Sequence, residues 1–250
     1  NKAGVKNIYY RIDGGERGIF SSDFKMPANR GTHNVKYDAN DQVDNLSGNH
    51  WINVFMDVDA PETGIIYANP QFVDRDTLFI TSKSGISLRF RDDASGVKTT
   101  QYQIDGGGFK TYGAFNLPSE GYHTIDFKST DNVNNAEGDK HSSAYVDNTA
   151  PEIFVKFSIE KIGTKGGLPV YPNYTRMYVA ATDKKVGTKE IRYSMDGGAL
   201  TLYSSPQTLD ASELSRFRKN KKYKVKVVAK DMLGNESEKE VEFYVGKDAK

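Results

Sequence analysis

The residues that could carry proton or nucleophile chemistry are few: four histidines and the carboxylates around them, in a chain with no cysteine. His33 and His123 occupy the same position of an internal repeat, and the third copy has Tyr223 there. A general base or metal ligand is not expected to recur at a repeat position and be exchanged for tyrosine. Strand-edge packing and hydrogen bonding is the expected role. His50 and His141 fall near the start of a final strand, and neither is expected to pair with an acid or a nucleophile. Ser-x-x-Lys spacings, such as Ser22–Lys25 and Ser158–Lys161, occur about as often as chance gives. No nucleophile elbow, phosphate loop, zincin helix or dinucleotide fingerprint is present. No catalytic residue, cofactor site or metal ligand is assigned, no cofactor is expected, and the binding residues are left unknown.

Three other features allow chemistry. Asp38, Asp41 and Asp44, with Asp57 and Asp59 at a junction, offer hard oxygen ligands of the kind calcium takes. The competing reading, which is favoured, is that Asp41, Asp131 and Asp231 cap their own turns through the backbone. Arg216–Lys226 holds seven basic residues in eleven and could meet a polyanion. Trp51, the only tryptophan, is either core or a platform for a sugar ring, and core is the expectation.

Composition narrows the class. With 250 residues, 34 basic against 33 acidic groups and a net charge of +1, the chain lacks the surplus of a dedicated nucleic-acid binder. No apolar run approaches the roughly 18–20 residues that span a bilayer. Absence of cysteine excludes disulfides and thiolate metal sites. The opening at Asn1 shows no signal-peptide pattern, which reads as a processed chain or a fragment. Aromatics at 12%, plentiful β-branched residues and 23 glycines point to an all-β protein.

The elements that would position these residues come in copies. Tyr-x-x-Asp-Gly-Gly occurs at 10–15, 102–107 and 193–198, so its aspartates, Asp13, Asp105 and Asp196, are 92 and then 91 residues apart. Seven residues after each comes an aromatic: Phe20, Tyr112, Tyr203. Alternating apolar runs that end in Asp41, Asp131 and Asp231 follow. Ala60-Pro61-Glu62 and Ala150-Pro151-Glu152 mark junctions, because proline ends one strand and stiffens entry to the next. A period near ninety residues is a whole domain. The expected modules are 1–58, 59–148 and 149–250. The first reads as the back half of a module whose opening strands would come from upstream residues or a partner.

Within a module the strands are short and alternate. Ile86, Leu88 and Phe90 face one way and Ser87, Arg89 and Arg91 the other. Asp-Gly marks a tight hairpin. Asp210-Ala-Ser-Glu213 opens one helical turn near 210–217. Tyr223, Val225, Val227 and Ala229 should face inward with Val241, Phe243 and Val245. Lys224, Lys226 and Lys230 should then face Glu238, Glu240 and Glu242. Six or seven such strands predict immunoglobulin-like β-sandwiches in an elongated tandem array.

The Tyr-x-x-Asp-Gly-Gly, Gly-x-His and Asp-x-x-Ala-Pro-Glu pattern resembles the tandem immunoglobulin-like repeats of bacterial envelope and secreted proteins. It is similar to leptospiral outer-membrane-protein repeats and to the C-terminal module of chitobiase-type enzymes. The resemblance covers nearly the whole chain, with departures at Tyr223 and in the insertion at 210–222. It implies a non-catalytic spacer, adhesion or assembly role in the periplasm, at the outer-membrane surface or outside the cell, with no transmembrane segment and no nucleic acid. Expected partners are other envelope or surface proteins, the remainder of a larger chain, or a polysaccharide. The alternatives are a carbohydrate-binding accessory module, with Trp51 and Tyr122 as contacts, or a host-matrix adhesin.

Overall fold

Every regular element among the described residues is a strand, as a sequence rich in β-branched and aromatic residues leads one to expect. The computed structural model describes residues 3–172, 175–203 and 221–246. The expected helical turn at 210–217 lies outside them.

The first sheet contains β1 (Val5–Ile12), β2 (Gly18–Ile19), β3 (Gly31–Asp41) and β4 (His50–Met56), in the order β2-β1-β3-β4. Next in the chain, β5 (Glu62–Tyr67) and β8 (Ile86–Arg91) form a two-stranded sheet. A six-stranded sheet is built from β6 (Gln71–Asp74), β7 (Thr77–Ile80), β9 (Val97–Ile104), β10 (Lys110–Thr111), β11 (Gly121–Asp131) and β12 (Lys140–Val146). Its order is β10-β9-β11-β12-β7-β6. The plan then repeats. A pair, β13 (Glu152–Phe157) with β16 (Met177–Thr182), accompanies six strands: β14 (Gly163–Lys165), β15 (Leu168–Pro172), β17 (Thr188–Met195), β18 (Thr201–Leu202), β19 (Lys222–Asp231) and β20 (Glu236–Gly246). Their order is β14-β15-β20-β19-β17-β18. The parallel pairings recur as well, Tyr145 with Phe79 and Tyr171 with Val245. The fold is thus all-β, with tandem immunoglobulin-like sandwich modules.

By contacts the chain gathers into two compact units, Asn1–Gly64 with Leu88–Tyr112 and Asp126–His141, and Ile65–Ser87 with Gly113–Ile125 and Ser142–Lys250. The second unit holds an extended apolar core. Ile153, Met177 and Val179 from the two-stranded sheet pack on Tyr203, Tyr223, Val225, Val227, Ala229, Phe243 and Val245 from the six-stranded one. These are the inward residues that the alternation predicts for the closing hairpin. Its outward lysines and glutamates pair diagonally: Lys222 with Glu242, Lys224 with Glu240 and Lys226 with Glu238, at 2.7–2.8 Å. The backbone register instead sets Lys224 opposite Glu242. Such exposed pairs are worth about 0–1 kcal/mol each.

The first unit contains a polar knot. The Ser129 hydroxyl lies 2.6 Å from that of Thr63 and 2.7 Å from that of Thr100, all three buried. In β1–β4, Ile8, Tyr10, Phe20, Phe24, Val35 and Tyr37 line an apolar groove that leaves Ile8 and Phe20 more than 40% exposed. Trp51 is not core. It is 69% exposed, because its register partner is Lys36 and it stands on the face of β4 opposite to Ile52, the partner of buried Val35. Phe90 also departs from its expected burial, at 44% exposed and in a T-shaped arrangement with Tyr112.

Candidate functional site

The repeated aspartates are first of all backbone fixtures. Asp13, Asp105 and Asp196 have φ of 49°, 52° and 50°, and the glycines after them 75°, 68° and 77°, the two left-handed steps of a tight hairpin turn. The second glycine of each motif returns its N–H to Ile12, Ile104 or Met195, each at 2.9 Å. A Cβ there would meet that same carbonyl oxygen at 3.0–3.1 Å. Asp13 and Asp196 then accept the N–H of Asn34 (2.8 Å) and Lys224 (3.0 Å) on the neighbouring strand. Seven residues on, the hydroxyls of Tyr112 and Tyr203 accept the N–H of Leu88 (3.0 Å) and Val179 (3.5 Å) from the facing sheet. The first copy has Phe20 and no hydroxyl to offer.

The capping reading of Asp41, Asp131 and Asp231 holds. Each Oδ1 takes two backbone N–H groups, from residues two and four positions on, and each Oδ2 takes the Asn side chain four positions on. Asp38, Asp44 and Asp59 do not gather as a calcium site. They pair with Arg17, Lys6 and Arg30 respectively.

Asp57 does join a cluster, with partners that the linear sequence separates from it. One carboxylate oxygen each of Asp57, Asp92 and Asp131 lie within 4.8 Å of one another, all in the first unit. Asp147, Asp183 and Asp231 form the corresponding trio, all in the second unit. Asp147 ends the run after β12, Asp183 follows β16 and Asp231 closes β19, so three strand ends meet. Neither Asp92 nor Asp183 is picked out by the sequence reading. The repeat carries their signal, because both precede a Gly-bearing turn at the same place in their copies.

The two trios differ in how their hydrogen bonds are shared. Asp57 Oδ2 accepts the Ser95 N–H at 2.9 Å, and hydrogen bonding from Ser95 holds its carboxyl below the usual range. Asp147 is fully buried; its Oδ1 accepts the Thr149 N–H at 3.1 Å, and its buried Oδ2 accepts nothing. The N–H groups of Lys185, Val186 and Gly187 all go to Asp183 Oδ1 at 2.9–3.1 Å. Burial pushes the Asp147 carboxyl up to about 6, and the charges of Asp183, Glu120 and Asp231 add to the rise.

The histidines behave as packing residues. His33 and His123 are buried, and each has Nε2 3.0 Å from the carbonyl oxygen four residues earlier, Asn29 or Ser119. His33 Nδ1 also pairs with Asp13 at 2.6 Å, a bond that raises the histidine and lowers the aspartate. His50 stacks on Tyr37. His141 departs from expectation: it pairs with Asp126, which Gln103 holds from the other side at 2.7 Å. Asp126 and His141 sit on paired strands, a juxtaposition that sequence distance hides. Of the basic segment, Arg216–Asn220 lies outside the described residues. Lys221 pairs with Asp196, and the lysines after it with the glutamates of β20.

No family model and no curated protein sequence matches the chain. Solved structures do match. The fibronectin(III)-like modules of Clostridium thermocellum CbhA are 16% identical over 58% of this chain and 80% of theirs, with a TM-score of 0.31. A 1.5-MDa bacterial ice-binding adhesin is 13% identical over 96% of this chain and 86% of its own, at 0.43. Cadherin domains 3–6 of protocadherin gamma B2 are 13% identical over 96% and 66%, at 0.25. At these values the likeness bears on fold at most and carries no functional argument. Among the described residues no helix is long and apolar enough to cross a membrane.

Proposed function

We propose that this chain is a non-catalytic array of immunoglobulin-like modules, the back half of one at 1–58 and complete ones at 59–148 and 149–250, serving as a structural or protein-binding part of a bacterial cell-envelope or secreted assembly. The observation that supports it most is the destination of the repeated polar side chains. Asp13 and Asp196 bind neighbouring strands, Asp41, Asp131 and Asp231 close turns, and His33 and His123 pack against backbone carbonyls. What the copies share is scaffold. Partners are other surface proteins or further domains of the same polypeptide, and they meet the parts that vary between copies.

Two measurements test this. Stretched from its ends, the chain is expected to unfold in separate steps, with full-module increments of roughly 300 Å for about ninety residues. One step for the whole chain overturns the modular reading. Fractionation of the source cells should recover the chain in the envelope or the medium; recovery from the cytoplasm overturns the location.

A second reading, polysaccharide binding, has a specific support. Trp51 and Phe55 are 69% and 52% exposed on one face of β4, beside an Asn34–Asn53 side-chain hydrogen bond of 2.8 Å. Two open rings flanking amides suit a sugar surface. Binding of soluble polysaccharide that Trp51→Ala abolishes would favour this reading. Binding that is absent, or unchanged by the variant, removes it.

A further inference from the structure

The trio in the second unit poses a problem that the protein alone does not solve. Three carboxylates converge, two of them on the fully buried residues Asp147 and Asp231. A buried carboxylate normally has its oxygens satisfied, since leaving a charged acceptor dry and unpaired is expensive. Asp147 Oδ2 breaks that rule. The nearby charges do not cancel the excess. Glu120 adds a fourth negative group and is engaged by the Asn148 and Thr149 donors. Lys185 feels Asp147 and Glu120, but its ammonium stands 4.5 Å above the Tyr145 ring.

The chemistry fits a particular guest. Two oxygens bound to one calcium ion stand at most about 4.6–5.2 Å apart, and the three carboxylate oxygens all lie within 4.8 Å of one another. Magnesium usually takes one or two carboxylates and keeps several waters, whereas a set of three carboxylates suits calcium. Carboxylate donors suit a hard cation, and neither thiolate nor imidazole is in the set. The ligands are also held for the purpose. Asp183 is fixed by three N–H groups on Oδ1, and Asp231 by its cap. Asn235, which completes that cap, donates to the Asp147 carbonyl at 3.0 Å and ties two of the strand ends together.

We propose that Asp147, Asp183 and Asp231 bind one calcium ion, with the unpartnered Oδ2 of Asp147 as a direct ligand and water completing the shell. The ion ties the ends of β12, β16 and β19 together. Asp57, Asp92 and Asp131 are the internal reference. There the Ser95 N–H already occupies the oxygen that corresponds to the free one, so that trio is left out of the proposal. The site does not depend on the array's proposed role.

Calorimetric titration of the whole chelator-treated chain with calcium chloride tests it. One saturable event is expected, with Kd between about 10⁻⁵ and 10⁻³ M. At saturation Tm should rise by about 5 °C or more. Asp147→Asn and Asp183→Asn should each weaken binding at least tenfold, and Asp57→Asn should leave it unchanged. Asp183 is the less buried ligand, and asparagine keeps its Oδ1 acceptor, so that variant reports even where Asp147→Asn folds poorly. Absence of saturable binding at about 10 mM calcium, a level far above these affinities, overturns the proposal. Full binding by Asp183→Asn, loss of binding in Asp57→Asn alone, or an equal response to magnesium does so as well.

Discussion

The trios Asp57–Asp92–Asp131 and Asp147–Asp183–Asp231 are built from matching positions of two copies, yet one is internally satisfied and the other is not. The difference arises one residue before the turn glycine. Ser95 turns its N–H to Asp57, whereas buried Val186 turns its N–H to Asp183. A single donor moved from one carboxylate to its neighbour leaves Asp147 Oδ2 without a partner. Repetition of residue type therefore does not guarantee repetition of electrostatic state, and the allocation of backbone donors decides it. The same lesson appears in the core. Thr63, Thr100 and Ser129 of one copy correspond to Ile153, Ile191 and Ala229 of the next, all three positions changing together from hydroxyl to hydrocarbon.

The largest test of the comparison lies in the caps. Asp131→Ala and Asp231→Ala each strand three donors, which should cost about 3 kcal/mol in urea unfolding, given about 1.5–3 kcal/mol for a hydrogen bond to a charged group and incomplete additivity. Without calcium, Asp231→Ala should cost less than Asp131→Ala, because it also removes a charge from the unsatisfied trio. Equal losses would break the contrast. Next comes the hydroxyl knot. Ser129→Ala alone should destabilise by about 1–3 kcal/mol, since it leaves two buried hydroxyls short of a partner. The triple change Thr63→Ile, Thr100→Ile and Ser129→Ala should recover most of that loss, by chemical denaturation, as it copies the apolar solution of the other unit. Additive losses would show that the two cores are packed differently.

The smallest effect concerns pH. The Asp13 bond raises His33 above its ordinary 6.5, so that its contribution to stability is complete below about pH 6.5 and fades as pH rises through the raised value. Asp13 is lowered from its ordinary 3.8, so its contribution is present above that pH and fades as pH falls through the lowered value. Urea midpoints followed from acid to alkaline pH should show this plateau in the native chain and not in His33→Gln. The third copy has Tyr223 and should lack the alkaline fade.

Much of the scaffold is legible in the amino-acid order because its determinants are local. Asp-Gly-Gly sets a turn within four residues, Asp231 caps within five, and the Val/Lys alternation of β19 assigns faces without reference to the rest of the chain. The candidate site is less legible because it is an encounter of strand ends. Asp57 is visible as a junction aspartate, but its neighbours Asp92 and Asp131 arrive from other strands, and Asp59 turns away to Arg30. The exposure of Trp51 and the pairing of His141 with Asp126 depend on register and on neighbouring strands, which periodicity within one strand does not encode.

The lysine and glutamate rows of the closing hairpin carry a further consequence. Lys222, Lys224 and Lys226 face Glu238, Glu240 and Glu242, so each charge recurs every second residue. A slip of β20 by two residues would again bring opposite charges together, and inward and outward faces would keep their character. Attraction along the rows therefore fastens the hairpin without telling it where to stop. That alignment falls to the turn, where Asp231 measures a fixed loop by gripping the N–H groups of Leu233 and Asn235. One aspartate acts as the ruler, and the ladder beside it only as the clasp.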